Sequence, residues 1–278
     1  MSVDATALPR FESFRTRGAR LVVDADWSGV DEVRALLDAD AFARALSVET
    51  GTRGRTATAF FALRDGARVW LRPVRHGGLL APLWGSNLLG LGRPLRELRV
   101  CAALRARGAP VPRVLFVVGQ RRGPFWSAVL GTSYERDTRD GLSLLTAGME
   151  PAALAAATRA AARAVRRFHD AGGRHADLHL GNLLFRARDT GFEALVIDLD
   201  RGHAGAPPDA PRRMRELMRL YRSLVKRGLD ARVGARGVAR FLHVYCAGDR
   251  QLRRALLAAL PREWRRIARH RWSWALRT

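Results

Sequence analysis

The feature that most limits how this chain can fold is a change of texture along its length. Short β-forming runs crowd the stretch from Leu46 to Gly131, and amphipathic helices fill most of the chain beyond it. The runs Leu46–Thr50, Thr58–Leu63 and Val69–Arg72 are separated by Gly51-Thr52-Arg53-Gly54 and by Asp65-Gly66. Gly-containing turns between such runs are hairpin signals, so this spacing predicts three antiparallel strands. Pro94 then opens a helix whose apolar positions Leu95, Leu98, Cys101 and Leu104 recur at helical spacing until Gly108, with Glu97 beside the stripe. Pro110-Val111-Pro112 forces an extended link, and two more strands are expected at Val114–Val118 and Trp126–Leu130.

Beyond Gly131 the period changes. Pro151 sits at a first-turn position, and Leu154, Ala161, Val165 and Phe168 form one face of a long helix that Gly172-Gly173 ends. Strand-like runs at Asn182–Phe185 and Ala194–Asp198 come next, and everything after Pro211 reads as helix. Strands gathered ahead of helices point to an α+β architecture rather than an alternating one. Three segments are expected: residues 1–45, an N-terminal extension of unknown role with a weakly helical stretch from Asp31 to Leu46; residues 46–131, a small antiparallel β-rich lobe; and residues 132–278, a larger α-helical lobe.

The formal charge of +23 comes from 49 basic residues against 26 acidic ones, and Lys226 is the only lysine. A Walker-type phosphate loop needs a lysine after its glycines and Schiff-base chemistry needs a reactive amine, so both classes are excluded. The arginine excess has two readings, coding bias or a surface for polyanions such as nucleic acid, anionic lipid or a phosphorylated glycolipid. No recognition helix or finger motif is present, and no nucleic-acid partner is expected. Apolar stretches such as Val114–Val118 are far shorter than a membrane span, and the N-terminus lacks a basic region followed by an apolar one, so the expected compartment is the cytoplasm. Cys101 and Cys246 stand apart in apolar helical contexts and read as buried thiols.

Chemistry is concentrated in His175-Ala176-Asp177-Leu178-His179-Leu180-Gly181-Asn182, between the long helix and a short strand. This H-x-D-x-x-x-x-N spacing is that of a kinase catalytic loop. Phosphoryl transfer from ATP needs a proton acceptor, oxygen ligands for Mg²⁺, cations and a glycine turn at the phosphates. Asp177 is placed to face the acceptor hydroxyl, Asn182 to turn its amide oxygen to the metal, and Asp198, after the apolar Val196-Ile197, to supply the second ligand. Arg72 ends the third strand, where kinases carry a phosphate-binding lysine, and Glu97 is its expected ion-pair partner. Gly51 and Gly54 are candidates for phosphate contact. His175 reads as a brace for the loop, while His179 and Asp200 are candidates for acceptor contact or loop support, Asp200 also for a further metal ligand.

Taken together, Leu71-Arg72, His76-Gly77-Gly78-Leu79, Gly108-Ala109-Pro110-Val111-Pro112, His175-Ala176-Asp177-Leu178, Asn182-Leu183-Leu184, Ile197-Asp198-Leu199-Asp200-Arg201-Gly202 and Arg219-Leu220-Tyr221-Arg222-Ser223-Leu224 resemble the 3-deoxy-D-manno-octulosonic acid (Kdo) kinases of the lipopolysaccharide-kinase group. The likeness spans about residues 46–226 and implies a two-lobed protein-kinase-like fold. It further implies transfer of the ATP γ-phosphate to the 4-hydroxyl of Kdo on a lipid A precursor, at the cytoplasmic face of the inner membrane. Arginine in place of the strand lysine is usual in that group. The chain departs from the group's pattern at Thr56, His76 and His179. Alternatives from the residues are a heptose or small-molecule kinase of the same fold, and a non-catalytic basic scaffold. The C-terminal mixture of Arg262, Arg265, Arg266, Arg269 and Arg271 with Trp264, Trp272 and Trp274 suits a helix on an anionic membrane surface, or a last helix packed on the large lobe.

Overall fold

An antiparallel sheet of six strands, in the order β1-β2-β5-β6-β4-β3, organises the first part of the structure. The strands are β1 (Phe11–Arg15), β2 (Ala19–Asp24), β3 (Ala59–Ala62), β4 (Arg68–Pro73), β5 (Val114–Arg122) and β6 (Phe125–Ser133). The structure is a computed structural model that describes residues 10–47, 59–75 and 87–275. Two compact units result: residues up to Ala106 with Pro112–Glu135, and Arg107–Val111 with the residues from Arg136 onward.

In the first unit, Val114 to Val118 form a continuous buried run, as a strand flanked on both sides requires. Leu21, Val23, Leu71, Phe116, Val118 and Val129 share one core with Leu36 and Phe42 from short helices. Each fully buried side chain of this size contributes about 1.5–3 kcal/mol, so the sheet is held chiefly by this face. A side chain at Gly131 would run into the Phe116 ring, which is why a glycine stands beside that aromatic. The short helices are α1 (Val30–Val33), a 3-10 turn (Arg34–Leu37) and α2 (Ala39–Ser47). Helix α3 (Gly92–Ala106) packs on β5 and β6.

Two expectations change here. Residues 11–24, where the sequence shows no motif, supply two strands of the sheet, and β2 lies next to β5 with Leu21 and Val23 fully buried. The N-terminal stretch is thus part of the first unit rather than an extension ahead of it. The strand expected from Leu46 does not begin there. Asp38 accepts the Ala41 N–H at 2.8 Å and buried Phe42 anchors the first turn, so α2 runs on through Ser47. Gly51, Gly54, Thr56 and His76 lie outside the described residues.

The second unit holds α4 (Gly141–Thr146), α5 (Pro151–Asp170), α6 (Ala210–Val225), α7 (Asp230–Cys246) and α8 (Arg250–Ala275). A three-stranded sheet, β10 (Gly191–Val196), β9 (Leu183–Arg188) and β7 (Thr138–Asp140), and a two-stranded one, β8 (Gly173–Arg174) with β11 (His203–Ala204), complete it. Ala157, Ala160, Ala161 and Ala164 give α5 a buried small-residue surface that lets β10 and α7 approach closely. Helix α6 starts where Asp209 accepts the Arg212 N–H at 3.0 Å. Both cysteines are buried. Among the described residues, no helix is long and apolar enough to cross a membrane.

Candidate active site

The loop between β8 and β9 carries Asp177, and its backbone is tied down at His175, Asp177, His179, Leu180 and Asn182. His175 is 2% exposed. Its Nε2 lies 3.0 Å from the Ile197 carbonyl, and its Nδ1 accepts the Asp177 N–H at 3.1 Å. The imidazole therefore carries its proton on Nε2 and braces Asp177 from two residues away. Burial pushes its pKa below the ordinary value, against the Ile197 hydrogen bond and the fields of Glu216, Asp198 and Asp177. A neutral imidazole is what this donor and acceptor pattern needs.

Asn182, which is buried, donates its Nδ2 to the Asp177 carbonyl at 2.9 Å. That bond commits the amide nitrogen to the loop and turns Oδ1 the other way. Strand pairing of Val196 with Leu183, continued by the 3.0 Å bond from Ile197 N–H to the Asn182 carbonyl, sets Asp198 one residue beyond Asn182's partner. Asp198 has φ of 61°, a left-handed conformation that costs a non-glycine residue free energy and clusters at functional positions. The sequence places Asp198 at a strand end, but β10 stops at Val196 and the carboxylate stands in the following turn. Asp177 remains open, its side chain 76% exposed, with His179 Nε2 3.8 Å from Oδ2. Asp200 lies in the same turn as Asp198, half-buried.

Helix α6 holds this loop from one side with three residues on one face. Glu216 Oε2 accepts the His175 N–H at 2.9 Å, Arg219 NH1 donates to the His175 carbonyl at 3.2 Å, and Ser223 Oγ accepts the Leu180 N–H at 3.2 Å. Sequence reasoning passed over Glu216 and named Ser223 only within a family motif, without a role. The available signal was a carboxylate, Glu216, set between the apolar residues Met214 and Leu217 of an amphipathic helix, where it is buried.

In the first unit the structure brings together the other predicted pair. Arg72, at the end of β4, donates to Glu97 Oε1 on α3 at 2.5 Å, with Glu97 5% and Arg72 33% exposed. The carboxylate buried on α3 fixes the orientation of the Arg72 guanidinium at the end of β4. A further concavity in the second unit is apolar, with a volume of about 660 Å³. Its wall includes Leu180 from the Asp177 loop, Leu183 and Met218, and its edge includes Val238 and Trp264, both exposed.

An antiparallel sheet with a buried helix glutamate, and a braced H-x-D-x-x-x-x-N loop followed by an aspartate, define a phosphotransferase of the protein-kinase-like fold. The lipopolysaccharide kinase (Kdo/WaaP) family model matches residues 44–245, and the chain belongs to that family, whose members use ATP. The chain is 35% identical over 180 residues to the 3-deoxy-D-manno-octulosonic acid kinase of Stenotrophomonas maltophilia (strain R551-3), covering 63% of this chain and 69% of that protein. It is 34% identical over 187 residues to the enzyme of the same name from Xanthomonas campestris pv. campestris (strain B100), covering 66% and 71%. Among solved structures, WaaP in complex with acyl carrier protein matches with a TM-score of 0.58 at 21% identity, over 90% of this chain and 98% of that one. At that identity the match speaks for the fold.

Proposed function

We propose that this chain transfers the γ-phosphoryl group of ATP to the 4-hydroxyl of a 3-deoxy-D-manno-octulosonic acid residue on a lipid A precursor. The observation that carries the reading is the exposed Asp177 carboxylate on a loop whose backbone is fixed by His175, Asn182 and helix α6. Asp177 takes the proton of the sugar hydroxyl as its oxygen bonds to the γ-phosphorus, the bond to the ADP oxygen breaks, and the carboxylic acid then returns its proton to solvent. Arg72, oriented by Glu97, neutralises charge on the nucleotide phosphates. Gly51 and Gly54 are proposed on the same phosphates from the sequence alone.

The residues present fit a Mg²⁺ ion. Asn182 Oδ1 and the strained Asp198 offer two hard oxygen donors, and Mg²⁺ on a nucleotide takes one or two protein ligands with phosphates and waters completing its shell. Among the described residues no group of three or more His, Cys, Asp or Glu converges, as a dedicated all-protein cage would need. The ion supplies charge neutralisation on the phosphates when bound. His179, whose Nε2 lies 3.8 Å from the Asp177 carboxylate, is proposed to contact the acceptor sugar, and Asp200 to support the loop. A lipid-bearing acceptor gives a use to the apolar cavity beside Leu180, and the charge of +23 suits peripheral attachment to an anionic inner-membrane surface.

The test is Mg-ATP with a Kdo-bearing lipid A precursor, read by mass spectrometry for one added phosphate. Asp177→Ala should lower turnover by about 10²- to 10⁴-fold, the usual contribution of a general base, while stability moves by about 0.5 kcal/mol or less because the side chain is exposed. Full activity in that variant ends the mechanism.

A further inference from the structure

Behind the Asp177 loop a directed series of hydrogen bonds runs through helices α7 and α5. Tyr245, fully buried on α7, has its hydroxyl 2.6 Å from Nδ1 of His169 on α5. Nε2 of the same ring lies 3.2 Å from Glu216 Oε2, the oxygen that also accepts the His175 N–H at 2.9 Å. At the far end Arg213 NH1 lies 3.4 Å from the Tyr245 oxygen and 2.8 Å from Asp170 Oδ1.

Chemistry fixes the direction of each bond. A guanidinium only donates, so the Tyr245 oxygen accepts from Arg213. Burial raises the pKa of the phenol, which keeps its proton and has one direction left in which to give it, toward His169 Nδ1. With Nδ1 an acceptor, the imidazole proton sits on Nε2 and goes to Glu216. Glu216 therefore receives one N–H from a side chain and one from the catalytic-loop backbone on a single oxygen. Without the hydroxyl, Nδ1 loses its donor and the ring is no longer held from that side. The Nε2–H bond to Glu216 then loosens, and the oxygen that holds the His175 N–H is less firmly placed.

We propose that Tyr245 is a positioning residue for phosphoryl transfer, acting through His169 and Glu216 to fix the His175 backbone and with it the loop that presents Asp177. The proposal rests on the reading of Asp177 as the base. Tyr245 touches neither the Asp177 loop nor, on this reading, any substrate, so its effect belongs in turnover rather than in nucleotide binding.

The experiment uses the full chain with Mg-ATP and a Kdo-bearing lipid A precursor. Tyr245→Phe, which keeps the buried ring, is expected to lower kcat by about 5- to 10-fold, the scale of one hydrogen bond. KM for ATP should stay within about twofold, because the change acts on the transition state alone. Adding Tyr245→Phe to Glu216→Gln should lower kcat no further, since both act through the same bonds. Amide exchange at His175 and Asp177 should speed up in the single variant. A lower melting temperature with unchanged kcat, measured well below the transition, overturns the proposal. Should the variant not fold, the ring-nitrogen spectrum of wild-type His169 decides, since a proton on Nδ1 refutes the series and one on Nε2 supports it. If the wild-type protein adds no phosphate to the Kdo acceptor, the reading of the reaction fails, while amide exchange and the His169 tautomer still decide this proposal.

Discussion

Removing the Arg72 guanidinium separates two roles that the ion pair with Glu97 combines. The carboxylate is 5% exposed and the guanidinium 33%. Breaking a wholly buried pair costs about 3–5 kcal/mol, and an exposed pair contributes about 0–1 kcal/mol. With one partner buried and the other a third in water, Arg72→Ala should lie between these limits, at about 2 kcal/mol. Glu97→Gln keeps the shape and an acceptor oxygen while removing the charge, and should cost about 1 kcal/mol. Once the carboxylate is neutral the loss of the cation matters less, so the double variant should fall short of the sum by about 1 kcal/mol. Chemical denaturation of the four proteins measures this coupling.

Kinetics measure the other role. If Arg72 meets the nucleotide phosphates, Arg72→Ala loses a charge-assisted contact of about 1.5–3 kcal/mol, about 10- to 150-fold in kcat/KM for ATP. Glu97→Gln, which leaves the cation in place but less firmly oriented, should lose less than Arg72→Ala. A stability loss of the expected size with kcat/KM for ATP within twofold of wild type would refute the phosphate role and leave the pair purely structural.

Acidification tests His175. The unfolded chain takes up this proton near pH 6.5, and the native protein resists until lower pH because the ring is buried. Between those values the unfolded state binds more protons, so the stabilisation is complete above about pH 6.5 and is lost as pH falls through the depressed native pKa. The stability difference between wild type and His175→Gln should therefore shrink from pH 7.5 to pH 5; a flat or growing difference, by denaturant titration at each pH, contradicts the assignment. The apolar cavity is tested by Val238→Trp, which puts a large ring at its edge. KM for an acylated Kdo acceptor should rise several-fold, while KM for ATP stays unchanged, and equal KM values for the acylated acceptor in variant and wild type exclude the cavity from acceptor binding.

What was readable in the amino-acid sequence depends on how far apart the cooperating groups lie along it. Asp177 and Asn182 share one loop, so their spacing is a local requirement of the proposed chemistry and stands out in a single sequence. Asp198 comes one hairpin later, at a distance fixed by the short strands β9 and β10. Arg72 and Glu97 were legible for a related reason, since each ends or lies along an element whose period is strong, and the ion pair forms as expected. The strands β1 and β2 were not legible. β1 has no buried position, and the alternation that marks a strand is confined to a few residues of β2.

The groups behind the loop were hidden in a different way. Tyr245, His169 and Glu216 come from three helices and meet only once those helices have packed. Taken singly, each has the sequence signature of an ordinary residue on an amphipathic helix. Arg213 and Glu216 are three apart on α6, and both are buried among Met214, Leu217 and Met218. Two opposite charges on the stripe that faces the core are costly unless each finds a partner there. Arg213 finds Asp170 and Tyr245, while Glu216 finds His169 and the His175 backbone. The cost of burying Glu216 is thus offset by bonds that reach the Asp177 loop, so one carboxylate serves both the packing of the second unit and the holding of that loop.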